Sequence, residues 1–257
     1  MDIAQIKQLR DLTGAGMSDC QKALEETNGD LNQAVELLRK KGEQLADKKS
    51  SRTANEGCIS IIKKDNKISV VGLNCETDFV ARNSDFISST KELSEKLLET
   101  GVENFESIAD DKIKNELIVK IGENLKLAFF EIIEGSPISY YLHTNNKIAS
   151  IVSLIGGSEE LARDIAMHAT AMNPAYLHPE DVPNDIIEKE KEIYREQLSK
   201  EGKPENIIEN ILNGKLDKFY KENCLTNQLF VKDDTKTISK LLEENQAKID
   251  KFRRFSL

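Results

Sequence analysis

The chain is poor in the residues that carry most enzyme chemistry, with four cysteines and three histidines among 257 residues. Cys20, Cys58, Cys75 and Cys224 are scattered and contain no Cys-x-x-Cys pair, which excludes the common zinc and dithiol signatures and fits reduced thiols. His143, His168 and His178 have no metal-ligand spacing, and none stands beside a serine or cysteine in a nucleophile context. No apolar run is long enough to span a bilayer, so no membrane association is expected. The first residues, Met1-Asp2-Ile3-Ala4-Gln5, lack the basic leader and apolar stretch of a secretory signal, so a cytoplasmic protein is expected. These absences argue against an enzyme and against a bound cofactor. A thiol hydrolase using Cys75 with His143 is the one catalytic alternative the inventory leaves.

What is present describes a folded, strongly solvated chain. Apolar residues make up 39% and charged residues 32% of it, enough for a core in one or two domains but biased towards long exposed helices. The net charge of -9 argues against direct nucleic-acid binding, because an acidic surface repels the phosphate backbone. Basic residues do cluster at Arg39, Lys40, Lys41, Lys48, Lys49 and Arg52. Such a run is a solvated linker or a nucleic-acid contact.

The first forty residues read as three short helices. Asp2, Ser18 and Asp30 are each followed three residues later by glutamine, the reciprocal capping spacing. Ile3, Ile6 and Leu9, then Cys20, Ala23 and Leu24, then Leu31, Ala34, Val35 and Leu38 give each helix an apolar stripe. The glycines of Thr13-Gly14-Ala15-Gly16-Met17 suit a tight turn. A phosphate loop is disfavoured there, because neither the lysine spacing nor a preceding strand is present.

Beyond the basic run, Cys58–Ile62 and Ile68–Leu73 are β-branched stretches separated by a polar tip with Asp65-Asn66 at its centre, which predicts a hairpin that brings Cys58 near Cys75. Helices are expected at 84–100 and 107–124, then a strand at 128–133. A second unit repeats the pattern, with strands at 138–143 and 148–155 around Thr144-Asn145-Asn146-Lys147 and a helix at 158–172. Asn66-Lys67-Ile68 and Asn146-Lys147-Ile148 occupy matching places, which suggests two similar α+β subdomains. Charged helices at 185–200 and 205–222, broken by Glu201-Gly202-Lys203-Pro204, carry narrow apolar seams that predict an antiparallel helical hairpin. A strand at 229–231, a helix at 237–246 and a segment at 249–255 complete the chain. His168, among Ala166, Met167 and Ala169 on a predicted helix, reads as a structural core residue.

The stretch from Asn74 to Asn83 differs from its surroundings, since a strand ends, a carboxylate and an aromatic ring follow at once, and a helix starts. Read locally, Thr77 or Asp78 caps that helix and Phe79 and Val80 anchor a core. A functional reading comes from elsewhere in the chain. The segments Leu12-Thr13-Gly14-Ala15-Gly16-Met17 with Asp19-Cys20, Cys75 to Ala81, Lys120-Ile121-Gly122-Glu123-Asn124 and Gly202-Lys203-Pro204, in this order and separation, resemble the bacterial elongation factor Ts family over nearly the whole sequence.

The resemblance implies an α+β protein with an N-terminal three-helix ubiquitin-associated-like module at 1–42, a basic linker at 43–55, a core N-subdomain at 56–136, a core C-subdomain with C-terminal segment at 137–184 and 226–257, and a helical hairpin at 185–225. It implies a guanine-nucleotide exchange factor that binds elongation factor Tu, GDP-bound and nucleotide-free. On this resemblance Thr77, Asp78, Phe79 and Val80 match the segment that dislocates the partner's magnesium. His143, Ile121, Met17, Arg10, Leu9 and Lys7 match further partner contacts. The alternative is a binding module for peptides or ubiquitin-like proteins without exchange activity. A homodimer through the core or the hairpin is left open.

Overall fold

Helix α1 (Ile3–Thr13) begins where Asp2, in extended backbone, accepts a hydrogen bond from the Ala4 amide, and it ends where Gly14 turns left-handed at φ 69° and donates to the Arg10 carbonyl. Helix α2 (Met17–Glu26) starts directly after that turn with Gly16 as its cap. Ser18 is therefore not a cap, because the chain is already helical one residue before it. Helix α3 (Leu31–Lys49) is capped by Asp30, which accepts from the Asn32 and Gln33 amides. Ile6, Leu9, Ala15, Cys20, Ala23, Leu24, Ala34 and Leu38 form the core of this module. The computed structural model describes residues 2–200 and 205–257.

Helix α3 corrects the expectation of a linker after residue 42. Leu38, Gly42 and Ala46 recur every fourth residue, so they share one helix face, and that face is buried. Leu38 packs in the module core, whereas Ala46 packs in the next core along the chain. Between them a side chain at Gly42 would lie 2.8 Å from both the Lys114 carbonyl and a Val119 methyl. The basic residues from Arg39 to Lys49 occupy other faces of a helix that is held down by its small ones, and Arg52 follows its end.

That next core lies under a three-stranded antiparallel sheet of β1 (Glu56–Lys64), β2 (Lys67–Cys75) and β3 (Lys126–Glu134), in the order β1-β2-β3. The β1-β2 turn has two residues, with Asp65 at φ 54°. Helices α4 (Asp78–Ala81), α5 (Ser84–Thr100), α6 (Val102–Lys112) and α7 (Ile118–Ile121) run between β2 and β3. The helix expected at 107–124 starts earlier, at Val102, after Gly101 breaks from α5 at φ 75°. Ile113–Leu117 is a π-helical turn, and Gly122, left-handed at φ 80°, ends α7. Phe86, Leu93, Leu97, Phe105 and Leu117 fill the core, with the Phe105 and Phe130 rings 5.0 Å apart. Cys58 lies opposite Leu73, and Cys75 opposite Glu56, so the two thiols are diagonal neighbours, buried and unbonded to each other.

The chain divides into two units. The first is Met1–Glu134 with His143–Ile148 and Ser256–Leu257. The second, Gly135–Leu142 with Ala149–Phe255, holds β4 (Ile138–Leu142), β5 (Ile148–Ile155) after its first residue, α8 (Glu159–Met172), α9 (Asn184–Lys200), α10 (Glu205–Asn223), β6 (Leu229–Phe230), β7 (Asp233–Thr237), α11 (Ile238–Glu244) and β8 (Lys248–Ser256) up to its last residue. Its main sheet has the order β4-β5-β8, while β6 and β7 pair separately. Ser158 caps α8 through the Leu161 amide. Leu198, Leu212 and Leu216 are buried on α9 and α10, and Lys215 sits 4.8 Å from the Tyr194 ring centre. The expected break at 201–204 lies outside the described residues.

His168 is fully buried on α8. The Val231 amide donates to its Nδ1 at 3.1 Å, so the ring proton resides on Nε2, which donates to Gln228 Oε1 at 3.0 Å. Burial lowers its pKa from the ordinary 6.5, outweighing the Gln228 bond. A histidine depressed in the folded state stays neutral while the unfolded chain takes up a proton. Its contribution is therefore complete above about pH 6.5 and declines as the pH falls below it. The thermal midpoint, scanned from about pH 8 to about pH 5, is expected to fall on the acid side, and less steeply in His168→Gln.

Candidate functional site

Strand β2 delivers the chain to a single helical turn, α4, through two residues that are tied from outside. Thr77 is extended at φ -123° and its hydroxyl accepts from the Val80 amide at 3.4 Å, so the local reading of Thr77 as a cap holds. Glu123, directly after the glycine that ends α7, accepts from the Glu76 and Thr77 amides at 2.9 and 3.1 Å and from the Thr77 hydroxyl at 2.6 Å. In return, Glu76 accepts from the Asn124 amide at 2.6 Å. Asn124 donates its side-chain amide to the Arg52 carbonyl at 2.7 Å, and Lys49 Nζ donates to the Gly122 carbonyl. Two acidic side chains thus each bind the other's backbone neighbours.

On this mount the four residues of α4 divide. Ala81 is buried and Val80 packs against the core, but Phe79 is 83% exposed, more than any other large apolar side chain among the described residues. Phe79 is therefore not a core anchor: the first two residues of one short turn face away from the core that its last two touch. Asp78 pairs with Arg82 at 3.2 Å in a solvated i,i+4 contact, worth a few tenths of a kcal/mol.

Asp78, Ala81, Arg82 and Ile87 line a depression together with Glu56 and Thr144–Lys147. The 144–147 tip is fixed in this first unit by the Ile59 amide donating to the Asn146 carbonyl at 2.6 Å and by the Lys147–Glu56 ion pair. His143 opens the tip, exposed, with its amide donating to the Ile148 carbonyl at 2.9 Å. Asp78 of the 77–80 segment and the tip that follows His143 therefore line one depression of one unit.

The other expected contacts fall out differently. Lys7, Arg10 and Met17 are exposed. Leu9 is wholly buried in the three-helix core, so its side chain presents nothing to a partner, and the assignment of a direct contact to it is corrected. Its place on the stripe with Ile6 already marked it as a core position. Leu12, 66% exposed on the same helix, is an apolar surface residue that the sequence reading did not single out. Ile121 is half-buried against the core. Glu123, Asn124 and Glu76 were missed as functional candidates; their signal was their place inside the matched segments 120–124 and 75–81.

Cys75 cannot serve as a nucleophile. It is fully buried, and burial first, with the negative fields of Glu123, Cys58 and Glu56, pushes its thiol up to about 12. Thiolate is then scarce at neutral pH, which removes the thiol hydrolase alternative. Among the described residues, no group of three or more histidine, cysteine, aspartate or glutamate side chains could hold a metal ion, and no helix is long and apolar enough to cross a membrane.

Comparison with known proteins supplies the family. Residues 4–44 match the model of a UBA-like domain, and residues 76–257 match the model of elongation factor TS. Elongation factor Ts of a Hydrogenobaculum species is 44% identical, over 98% of this chain and 97% of that protein. Those of Halothermothrix orenii and a Nitratiruptor species are 42% and 43% identical, over 100% and 99% of this chain and 92% of each relative. The three-helix module, the two three-stranded sheets and the paired helices are thus the parts of a chain that belongs to the elongation factor Ts family.

Proposed function

We propose that this chain is a guanine-nucleotide exchange factor for elongation factor Tu, and that Phe79 is the side chain it drives into that partner. Family membership supports the exchange role in general. The observation that carries the assignment to Phe79 is an aromatic ring left almost fully in water on a turn whose backbone is tied at both ends. An exposed phenylalanine is ordinarily a cost, and burying it in a partner's crevice returns about 1.5 to 3 kcal/mol. Each 1.4 kcal/mol of coupling corresponds to roughly a tenfold change in affinity. One buried ring therefore suffices to weaken nucleotide binding substantially.

The mechanism follows from differential binding. The chain binds the nucleotide-free partner best, so by linkage GDP must loosen its hold to the same degree. Phe79 wedges into an apolar crevice and shifts a packed element, while Asp78 disturbs the polar network around the partner's magnesium and its water shell. Magnesium neutralises phosphate charge, and its dislocation releases GDP so that GTP can enter. Thr77 and Val80 hold the turn, the one as its cap and the other by its core contact. His143, beyond the depression, and Lys7, Arg10, Met17 and Ile121 add contact area. No bond is made or broken.

The test is stopped-flow release of fluorescently labelled GDP from elongation factor Tu, with and without this chain. Acceleration that saturates with chain concentration is expected. An unchanged release rate would refute the assignment.

A further inference from the structure

We propose that Glu123 is a positioning residue for exchange, holding α4 in the orientation that presents Phe79; this rests on the assignment of Phe79 to the partner contact. Helix α4 has only four residues, far below the length at which a helix stands alone, so its direction must be imposed by its flanks. On the C-terminal side Ala81 and Val80 touch the core. On the N-terminal side, beside the Asn124 amide donating to Glu76 and the Cys75 thiol donating to the Thr77 carbonyl at 3.2 Å, Glu123 makes the most bonds. Its Oε2 receives two successive backbone amides, at 2.9 and 3.1 Å, and its Oε1 receives the Thr77 hydroxyl at 2.6 Å.

The hydroxyl bond links the two ends of the restraint. A threonine hydroxyl has a single proton, and donating it to Glu123 turns the oxygen's lone pairs to where the Val80 amide, 3.4 Å away, can use them. The chain of bonds from Glu123 through Thr77 to Val80 brackets Asp78 and Phe79. Hydrogen bonds to an ionised acceptor are about twice as strong as neutral ones, and Glu123 makes three of them on one surface segment. Removing its carboxylate leaves Thr77 in reach of water, so the expected loss is in the direction of α4 and not in the fold.

Four full-length chains decide the matter: Glu123→Ala, Glu123→Gln, Phe79→Ala and the Glu123→Ala/Phe79→Ala double variant. The readouts are maximal GDP-release rate, half-saturating concentration and amide hydrogen exchange at Glu76, Thr77 and Val80. Glu123→Ala is expected to lower the maximal rate roughly tenfold, as the loss of a charged hydrogen bond predicts, with faster exchange at those three amides. Glu123→Gln, whose carboxamide oxygen still accepts, should recover part of both. In the double variant the second change should cost less than about a further twofold, because a misdirected α4 has no ring left to misplace.

A Glu123→Ala rate within about twofold of the parent, or losses that multiply in full in the double variant, would overturn the inference. If Glu123→Ala fails to fold, unchanged amide exchange and release in Glu123→Gln would do so. Normal release by Phe79→Ala would instead overturn the assignment on which it rests.

Discussion

Phe79→Ala is expected to slow GDP release from elongation factor Tu by roughly ten- to a hundredfold at equal concentration, with no change in the thermal midpoint of the chain itself. Both halves follow from the 83% exposure of the ring. A side chain already in water gives up almost no folding free energy when truncated, yet nearly all of its transfer free energy is available to a complex. Asp78→Ala should also slow release and should likewise leave the thermal midpoint nearly unchanged, since its partner within the chain is the solvated Arg82 and such pairs contribute little to stability. Stopped-flow release and a melting curve, run on the same preparations, separate the two quantities. Normal release by both single variants and by their double would overturn the mechanism.

Phe105→Ala is the opposite case. The ring is fully buried and tilts against Phe130 at 5.0 Å between centres. Truncating a buried phenylalanine costs about 3 to 5 kcal/mol through lost transfer free energy and the cavity left behind. Net stabilities are about 5 to 15 kcal/mol, so a fall of roughly 10 °C in the thermal midpoint is expected. Well below that midpoint the variant should still promote GDP release, because Phe105 lies beneath the sheet and the Phe79 ring itself is exposed. A variant with an unchanged melting curve would contradict the core described here. The pair distinguishes two phenylalanines that composition alone cannot.

Where the sequence was legible, the signals were local. Asp2 and Asp30 cap helices as expected, and Asp65-Asn66 makes the two-residue turn that sets the register of β1 and β2. Each depends on neighbours within a few residues. Ser18 failed because Gly16 takes the cap position and the helix begins two residues early. The run from Lys40 to Lys49 misled because its charges were conspicuous, while the positions that decide its structure, Gly42 and Ala46, are small. Strand β7, rich in aspartate, threonine and lysine, offered no alternation to read.

The candidate site was half legible. Its residues stood out as a carboxylate and an aromatic ring at a strand end, but an aromatic there is more often core, and local pattern favoured that reading. Only the family resemblance favoured exposure, which the structure then gave for Phe79. Glu123 lies 46 positions from Thr77, and no periodicity reaches so far. A glutamate after a helix-ending glycine looks like one more solvated charge until the fold brings it to the Thr77 amide.

The unbroken helix α3 has a consequence of its own. A flexible tether tolerates an added residue, whereas a rigid shaft transmits it as a phase error. One residue inserted between Leu38 and Ala46 would turn everything before it by about 100° and displace it by about 1.5 Å along the axis. Lys7, Arg10 and Met17 would then point in a new direction while Phe79 kept its own. On the proposed assignment of both patches to one partner, the number of residues in α3 is a dimension of the tool, fixed as strictly as any side chain on it.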